Sequence, residues 1–163
     1  LATREIHGAP IPILSRLVTS TQGAGEFAIG PDGTFVYADV PGSSSLRDRY
    51  MVWVSRDGRD EAITAMPREF VYPRISPDGT RIAVYNADED RDIWIWDLAT
   101  KTPRRFTFDP AQDVYPLWTP DGRRVIFSSA AGGSKSANLY SQAADGTGAP
   151  DRLTMGEIGR AHV

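Results

Sequence analysis

Short hydrophobic runs along this chain alternate with polar turn residues, with a spacing typical of β-strands rather than helices. The clearest example is the run Tyr72–Ile75, which is followed by the turn Pro77–Gly79 and then by the run Arg81–Asn86. In such a turn Pro restricts φ, Asp accepts hydrogen bonds from nearby backbone and Gly adopts the left-handed conformation. The pattern therefore predicts a β-hairpin.

The same strand, turn and strand pattern occurs three times along the chain. The turn Asp residues lie at positions 32, 78 and 121, which are 46 and 43 residues apart. A second marker is a Thr after the last run of each unit, at positions 19, 64, 107 and 154, with steps of 45, 43 and 47. Two independent markers with similar steps predict an array of equivalent supersecondary units. The residues assigned to the three turns are Pro31, Asp32, Gly33, Pro77, Asp78, Gly79, Pro120, Asp121 and Gly122.

Each unit contains four candidate strands, and the third is the most informative. In the middle unit the candidates are Tyr72–Ile75, Arg81–Asn86, Asp92–Asp97 and Pro103–Phe108. Residues Ile93–Trp96 are apolar at every position, so this strand must be covered on both faces. A four-stranded sheet that is buried on both faces and repeats at this step predicts a propeller blade, covered by its neighbours. A β-sandwich is the competing all-β interpretation, and it predicts one solvated face for each strand.

We therefore predict an all-β fold, a β-propeller fragment of about three four-stranded antiparallel blades plus the outer strand of a preceding blade. The expected boundaries are 1–24 for the preceding blade and 25–67, 68–110 and 111–155 for the three blades. Three blades do not close a ring, and the chain opens in mid-pattern, so we expect it to be a piece of a longer protein. Residues 156–163 break the repeat and resemble a translated sequencing adapter, which predicts a non-native or disordered tail.

Composition removes several classes of function. The formal net charge is −3 over 163 residues, which argues against a nucleic-acid partner. The absence of Cys excludes disulfides, Cys-ligated zinc and thiol catalysis. No apolar run approaches the roughly 18 residues that a membrane span needs, so no membrane contact is expected within this chain.

Three stretches resemble a known family. Residues Ile75–Ala83, Asp92–Leu98 and Arg105–Thr107 are similar to the WD40-like Pro-Asp repeat, PD40, of TolB-like propellers. The same repeat occurs in prolyl-oligopeptidase-like peptidases and in bacterial serine/threonine kinases, and the run Phe108–Gly122 is most similar to the kinase group. The resemblance implies a propeller and favours a periplasmic or extracytoplasmic location, but it leaves the function open. The first unit departs from the family pattern, because Gly30 stands where Ser or Thr precedes the Pro.

Candidate catalytic and metal-binding residues are scarce. There is no Gly-x-Ser-x-Gly elbow, and no Ser-His-Asp set can be assembled around His7 and His162. The acidic run Asp88–Asp92 begins like a calcium loop, but Ile93 and Ala99 occupy the positions that need Gly and Glu, so a solvated turn is predicted. We expect no catalytic residue, no metal site and no cofactor. The four tryptophans lie at strand positions and are expected to pack between blades: Trp53, Trp94, Trp96 and Trp118.

The entry to the first strand of a blade is the best candidate for a binding site. In propellers this strand lines the central channel, and the loop before it opens on one face. Residues Tyr72, Arg74, Asp113 and Tyr115 lie at this place in two units. Aromatic and Arg side chains on an exposed rim are good interface anchors. The alternative that Tyr72 and Tyr115 only pack between blades stays open.

These observations favour a non-catalytic interaction or sensing module. The expected partners are a protein segment or a small molecule at the channel mouth, together with the remaining blades of the same propeller. The family resemblance places such a module in a larger bacterial protein, such as a receptor-type serine/threonine kinase. The alternative is the gating propeller of a prolyl-oligopeptidase-like serine peptidase whose catalytic domain is not in this chain.

Overall fold

A computed structural model describes residues 25, 27–30, 33, 35–39, 49–55, 58–88, 91–131 and 137–154. Within these ranges the chain forms three four-stranded antiparallel sheets, each built from consecutive strands in chain order. The predicted preceding blade and the predicted tail lie outside the described residues. The strands are β1 (Phe27–Ile29), β2 (Phe35–Asp39), β3 (Tyr50–Val54), β4 (Asp60–Ala62), β5 (Phe70–Ile75), β6 (Arg81–Asn86), β7 (Asp92–Asp97), β8 (Thr102–Arg105), β9 (Asp113–Trp118), β10 (Arg124–Ser129), β11 (Asn138–Ala143) and β12 (Asp151–Arg152).

The turn between β5 and β6 is held together by its own side chains. The Gly79 N–H donates to the Ser76 carbonyl at 2.9 Å, and Gly79 has a φ of 71°. The Asp78 carboxylate accepts hydrogen bonds from the Ser76 hydroxyl and the Thr80 N–H, and these donors lower the pKa of Asp78 to about 2. The β9–β10 turn repeats this arrangement around Asp121. The hydrogen bonds that form this turn are therefore made between residues that are close in the sequence.

Both faces of β7 are covered, as the continuous apolar run predicted. Ile93 and Ile95 are 0% and 3% exposed, and they pack in a core with residues of the third sheet. Trp96 lies in a different core, which includes residues of the first sheet. The central sheet is therefore sandwiched between its two neighbours, as a propeller blade is. The β-sandwich interpretation is wrong, because it requires a solvated face on each strand.

The outer strand of the second sheet is shorter than predicted, and the repeating Thr lies just beyond its end. Strand β8 ends at Arg105, and the next residue, Phe106, is fully buried between sheets. The Thr107 hydroxyl then accepts the hydrogen bond of the Ile93 N–H at 3.0 Å, where a regular ladder would offer a carbonyl. Thr64 and Thr154 accept the equivalent N–H bonds of β3 and β11, at 3.2 and 3.1 Å. A side-chain hydroxyl thus closes the outer edge of each sheet.

The three sheets converge at their first strands. Strand β5 contacts both β1 and β9, so the inner edges of the sheets lie next to each other. Within the described ranges, no helix is long and apolar enough to cross a bilayer. The inner edges are therefore the place where residues from all three sheets come together.

Candidate binding surface on the inner strands

Strands β5 and β9 carry the same β-bulge at the same place. In β5, Tyr72 and Pro73 lie together opposite one residue of β6, and in β9, Tyr115 and Pro116 lie opposite one residue of β10. Pro has no N–H to donate to the ladder, which favours an irregular position there. Tyr72 and Tyr115 both adopt a φ of 57°, an uncommon conformation for a bulky side chain.

The two bulged tyrosines contact each other across the blade boundary. Their ring centroids are 4.5 Å apart with an interplanar angle of 43°, and a third ring, Tyr85, lies 6.5 Å from Tyr72. Tyr72 is half-buried, whereas Tyr115 is 56% exposed. Tilted aromatic pairs at this distance are favourable. The bulges therefore present a supported aromatic pair at the inner edge.

Aliphatic and basic side chains line a cavity on the same inner strands that carry this aromatic pair. Ile29 and Leu117 are exposed residues of the first and third sheets, and with Arg74 they line a cavity of about 320 Å³. The Arg74 guanidinium donates to the carbonyl of Pro73 at 2.8 Å, and the Trp118 indole N–H donates to the Arg74 carbonyl at 2.9 Å. We call this set the inner surface; it comprises Ile29, Tyr72, Arg74, Tyr115 and Leu117.

Asp113, the fourth residue predicted for this site, lies elsewhere. It is 1% exposed and pairs with Ser129 of β10, in a cavity of about 540 Å³ between the second and third sheets. Burial raises the pKa of the Asp113 carboxyl. The bulge explains the separation, because an extra residue at Tyr115 reverses which face the following side chains occupy. Asp113 therefore shares its buried face with Pro116 and not with Tyr115.

The structure thus brings Tyr72 and Tyr115 into contact, places Arg74 two residues after Tyr72 on the same strand and puts Asp113 elsewhere. Two residues that sequence reasoning missed line a cavity with Arg74. Leu117 follows Tyr115 at the alternate position, so strand periodicity pointed to it. Ile29 is the last residue of β1. Its unit lacks the Tyr-Pro pair, so nothing in the local sequence marked it.

The solvated turn predicted for the run Asp88–Asp92 is wrong at Asp92, which is the first residue of β7. The Asp92 side chain is buried, forms an ion pair with Arg105 and accepts a hydrogen bond from the Thr107 hydroxyl at 3.0 Å. In the part of the chain that the structure describes, no three His, Cys, Asp or Glu side chains gather as metal ligands. Asp92 is a structural residue that ties β7 to the outer edge of its sheet.

Trp96 and Trp118 are buried at two different blade interfaces. Trp96 is buried in a core shared with the first sheet, and Trp118 in the core between the second and third sheets. Trp118 also lies under the guanidinium of Arg81, whose carbon is 4.7 Å from the ring centroid. These rings fill the space between blades and bind them together.

Three four-stranded sheets that lie side by side and converge at their first strands define a segment of a β-propeller. Residues 43–162 match the family model of the TolB β-propeller domain, PD40. The chain belongs to this family.

Solved structures with very different names share this fold. TolB from Acinetobacter baumannii is 24% identical over 85% of this chain and 37% of its own, with a TM-score of 0.68. Oligogalacturonate lyase from Vibrio parahaemolyticus is 13% identical over 78% of this chain and 40% of its own, with a TM-score of 0.63. A puromycin-hydrolysing peptidase from Mycobacterium tuberculosis is 16% identical over 80% of this chain and 23% of its own, with a TM-score of 0.59. The chain spans less than half the length of each, and identities this low establish the fold alone.

Proposed function

We propose that this chain is part of a non-catalytic binding module and that its inner surface takes an extended protein segment. One observation carries the proposal: Tyr72 and Tyr115 are held side by side in the same left-handed conformation. Such a backbone conformation costs about 1–3 kcal/mol per residue and persists only where the surroundings impose it. Outliers of this kind cluster at ligand-binding sites, and here they aim two aromatic rings at one place.

The chemistry of the inner surface suits a peptide. Tyr and Arg are enriched among the residues that dominate binding energies, and the exposed Ile29 and Leu117 add apolar area around them. None of the five residues is acidic. We therefore expect the preferred ligand to present apolar side chains together with a carboxylate that pairs with Arg74.

The wider protein is proposed from the family and the sequence together. The run Phe108–Gly122 supports a place in a receptor-type serine/threonine kinase, where phosphoryl transfer would belong to another part of the protein. The alternative, a gating propeller of a serine peptidase, draws on the similarity to the peptidase structure. Kinase motifs and an apolar span upstream would support the first, a Gly-x-Ser-x-Gly elbow downstream the second. A signal peptide with neither would support a TolB-like periplasmic partner.

The binding proposal is tested with linear peptides selected by display against the whole chain. Fluorescence polarisation then compares the selected peptides on the unaltered chain, on Tyr115→Ala and on Leu153→Ala. Leu153 is the matched control, since it is 51% exposed against 56% for Tyr115 but lies next to the outer strand β12. We expect Tyr115→Ala to weaken binding by about tenfold or more, as loss of an aromatic anchor does. Equal losses in both variants would overturn the proposal.

A further inference from the structure

The largest cavity described above lies between the second and third sheets, away from the inner surface. It has a volume of about 540 Å³, within the range of small-molecule sites. Phe106 from the end of the second sheet and Phe127 and Tyr140 from the third sheet supply aromatic walls. Both walls belong to blades that are present, so the cavity is a groove between neighbours and not the open side of a terminal blade.

The cavity lies where the third sheet has a smaller side chain than the second sheet has at the equivalent position. Trp96 of β7 pairs with Ile82, and the equivalent pair in the third sheet is Gln142 with Val125. The Gln142 amide donates to the carbonyls of Gly146 and Gly148, at 3.4 and 3.3 Å. It is thereby held toward the β11–β12 loop and leaves space between the aromatic walls.

One carboxylate oxygen in this cavity has no partner. Asp113 lines the cavity at 1% exposure, and its Oδ1 has no hydrogen-bond partner among the described residues. Loss of hydration raises the pKa of this carboxyl, although the Ser129 and Thr107 hydroxyls counteract the rise. Buried polar atoms without a partner are rare in proteins and call for an explanation.

Among the described residues, the two arginines that lie over aromatic rings of this cavity, Arg104 over Phe106 and Arg105 over Phe108, also have other partners. Arg105 pairs with Asp92 and lies over the ring of Phe108, with its carbon 5.1 Å from the centroid. Arg104 donates to the carbonyl of Ala144 at 2.9 Å. Among the described residues, the charged side chains that line the cavity itself are those of Asp109 and Asp113. The cavity is thus aromatic at its walls and acidic at one end.

We propose that this cavity binds a small organic cation, a primary ammonium group on a short apolar stem. The ammonium donates to Oδ1 of Asp113, and the stem packs against Phe106, Phe127 and Tyr140. An ammonium group has three donors and no acceptor, so it can satisfy the carboxylate oxygen without bringing a second acceptor into the cavity. Aromatic faces add a favourable interaction with a cation. This site is independent of the inner surface and of its proposed ligand.

The proposal is tested on the whole chain with two probes of nearly the same shape, phenethylammonium and 2-phenylethanol, by isothermal titration calorimetry. We expect phenethylammonium to bind about tenfold more tightly, because a hydrogen bond to a charged group is worth at least that factor. Equal affinities, or no binding of the ammonium probe, would overturn the proposal.

A variant then assigns the site. Asp113→Asn keeps the shape and removes the charge, so we expect the preference for the ammonium probe to disappear. Asp60→Asn, an exposed carboxyl on β4, is the matched control and should retain the preference. A preference that survives in Asp113→Asn, with far-UV circular dichroism unchanged, would place the probe elsewhere and refute the assignment.

Discussion

The groove between the first and second sheets and the groove between the second and third sheets use equivalent positions but fill them differently. In the first groove, Phe70 begins β5 and packs edge-on against Trp96, with ring centroids 5.2 Å apart at 88°. In the second groove, the equivalent positions hold Asp113 and Gln142. An aromatic pair in one groove is thus replaced by a polar pair in the other.

Both grooves contain cavities, and both keep an apolar core beside them. The described residues of the first groove line cavities of about 230 and 410 Å³, and those of the second line a cavity of about 540 Å³. Below the polar pair, Phe106 and Phe127 still pack edge-on, with centroids 6.3 Å apart. Blade packing therefore tolerates a polar position at one end of the groove when an apolar core holds the other. This position is where a binding cavity can form without separating the blades.

The largest effect is expected when an aspartate, the residue found in the second groove, replaces Phe70 in the first groove. Phe70→Asp removes a buried ring and buries an unpaired carboxylate, so we expect a loss of about 4 kcal/mol or more in the free energy of unfolding. Urea unfolding measures it. The exposed Phe108→Asp is the control, with an expected loss below about 1 kcal/mol. If the loss for Phe70→Asp were as small as that expected for Phe108→Asp, Phe70 would contribute no core packing.

The second test compares the threonines that close the sheets beside the two grooves. Thr107 accepts from the Ile93 N–H and donates to Asp92, whereas the bond described at Thr64 is from the Met51 N–H. We expect Thr107→Val to cost about 2 kcal/mol and Thr64→Val about 1 kcal/mol, in proportion to the buried bonds lost. Unfolding by urea, followed by tryptophan fluorescence, gives both values. A larger loss at Thr64 would contradict this account.

The third test uses pH. Burial raises the folded-state pKa of Asp113 above its ordinary value of 3.8, so the folded form binds its proton more tightly than the unfolded form. Its contribution to stability therefore falls as pH rises from 3.8 through the raised pKa. We expect Asp113→Asn to be more stable than the unaltered chain at neutral pH, by about 1 kcal/mol, and to lose this advantage in acid.

Asp78 is expected to show the opposite pH dependence in the same measurement. Its pKa is lowered to about 2, so its stabilising contribution is present above 3.8 and is lost as pH falls through about 2. Removing the Asp78 carboxylate should therefore destabilise the chain at neutral pH, the opposite sign to Asp113. Urea unfolding of Asp113→Asn and Asp78→Asn at neutral and acid pH checks both signs. The same sign for both would refute the assignment of Asp113 as a desolvated carboxyl.

The smallest expected effect concerns the stacking of Arg81 on Trp118, at the boundary between the second and third sheets. Arg81 stacks on Trp118 and donates to the Gly122 carbonyl at 3.2 Å. Arg81→Lys keeps the charge but loses the planar stacking group, so we expect a loss of about 0.5–1 kcal/mol. Arg123→Lys, on the exposed turn, is the control and should be neutral in the same thermal unfolding measurement. If the two variants lost the same stability, the stacking of Arg81 on Trp118 would contribute nothing to stability.

Most of the architecture was readable from the sequence because the signals are local. The turn around Asp78 is made by residues next to each other, so its hydrogen bonds follow from the Pro-Asp-Gly chemistry alone. The unbroken apolar run Ile93–Trp96 already required cover on both faces. Together with the repeat step, these features predicted blades and their order. The closing threonines were visible as a periodic marker, although their role as substitute acceptors was not.

Which side chains meet depended on tertiary structure. In a regular strand Asp113 and Tyr115 would share a face, so the sequence put them in one site. The bulge at Tyr115 reverses the alternation, sending Asp113 into the groove and Tyr115 to the inner edge. The contact between Tyr72 and Tyr115, 43 residues apart, likewise needs two blades side by side. Local chemistry determined the strands and turns. The sheet face that a side chain occupies, and the side chains that it contacts in other blades, depend on register and packing, which no single segment encodes.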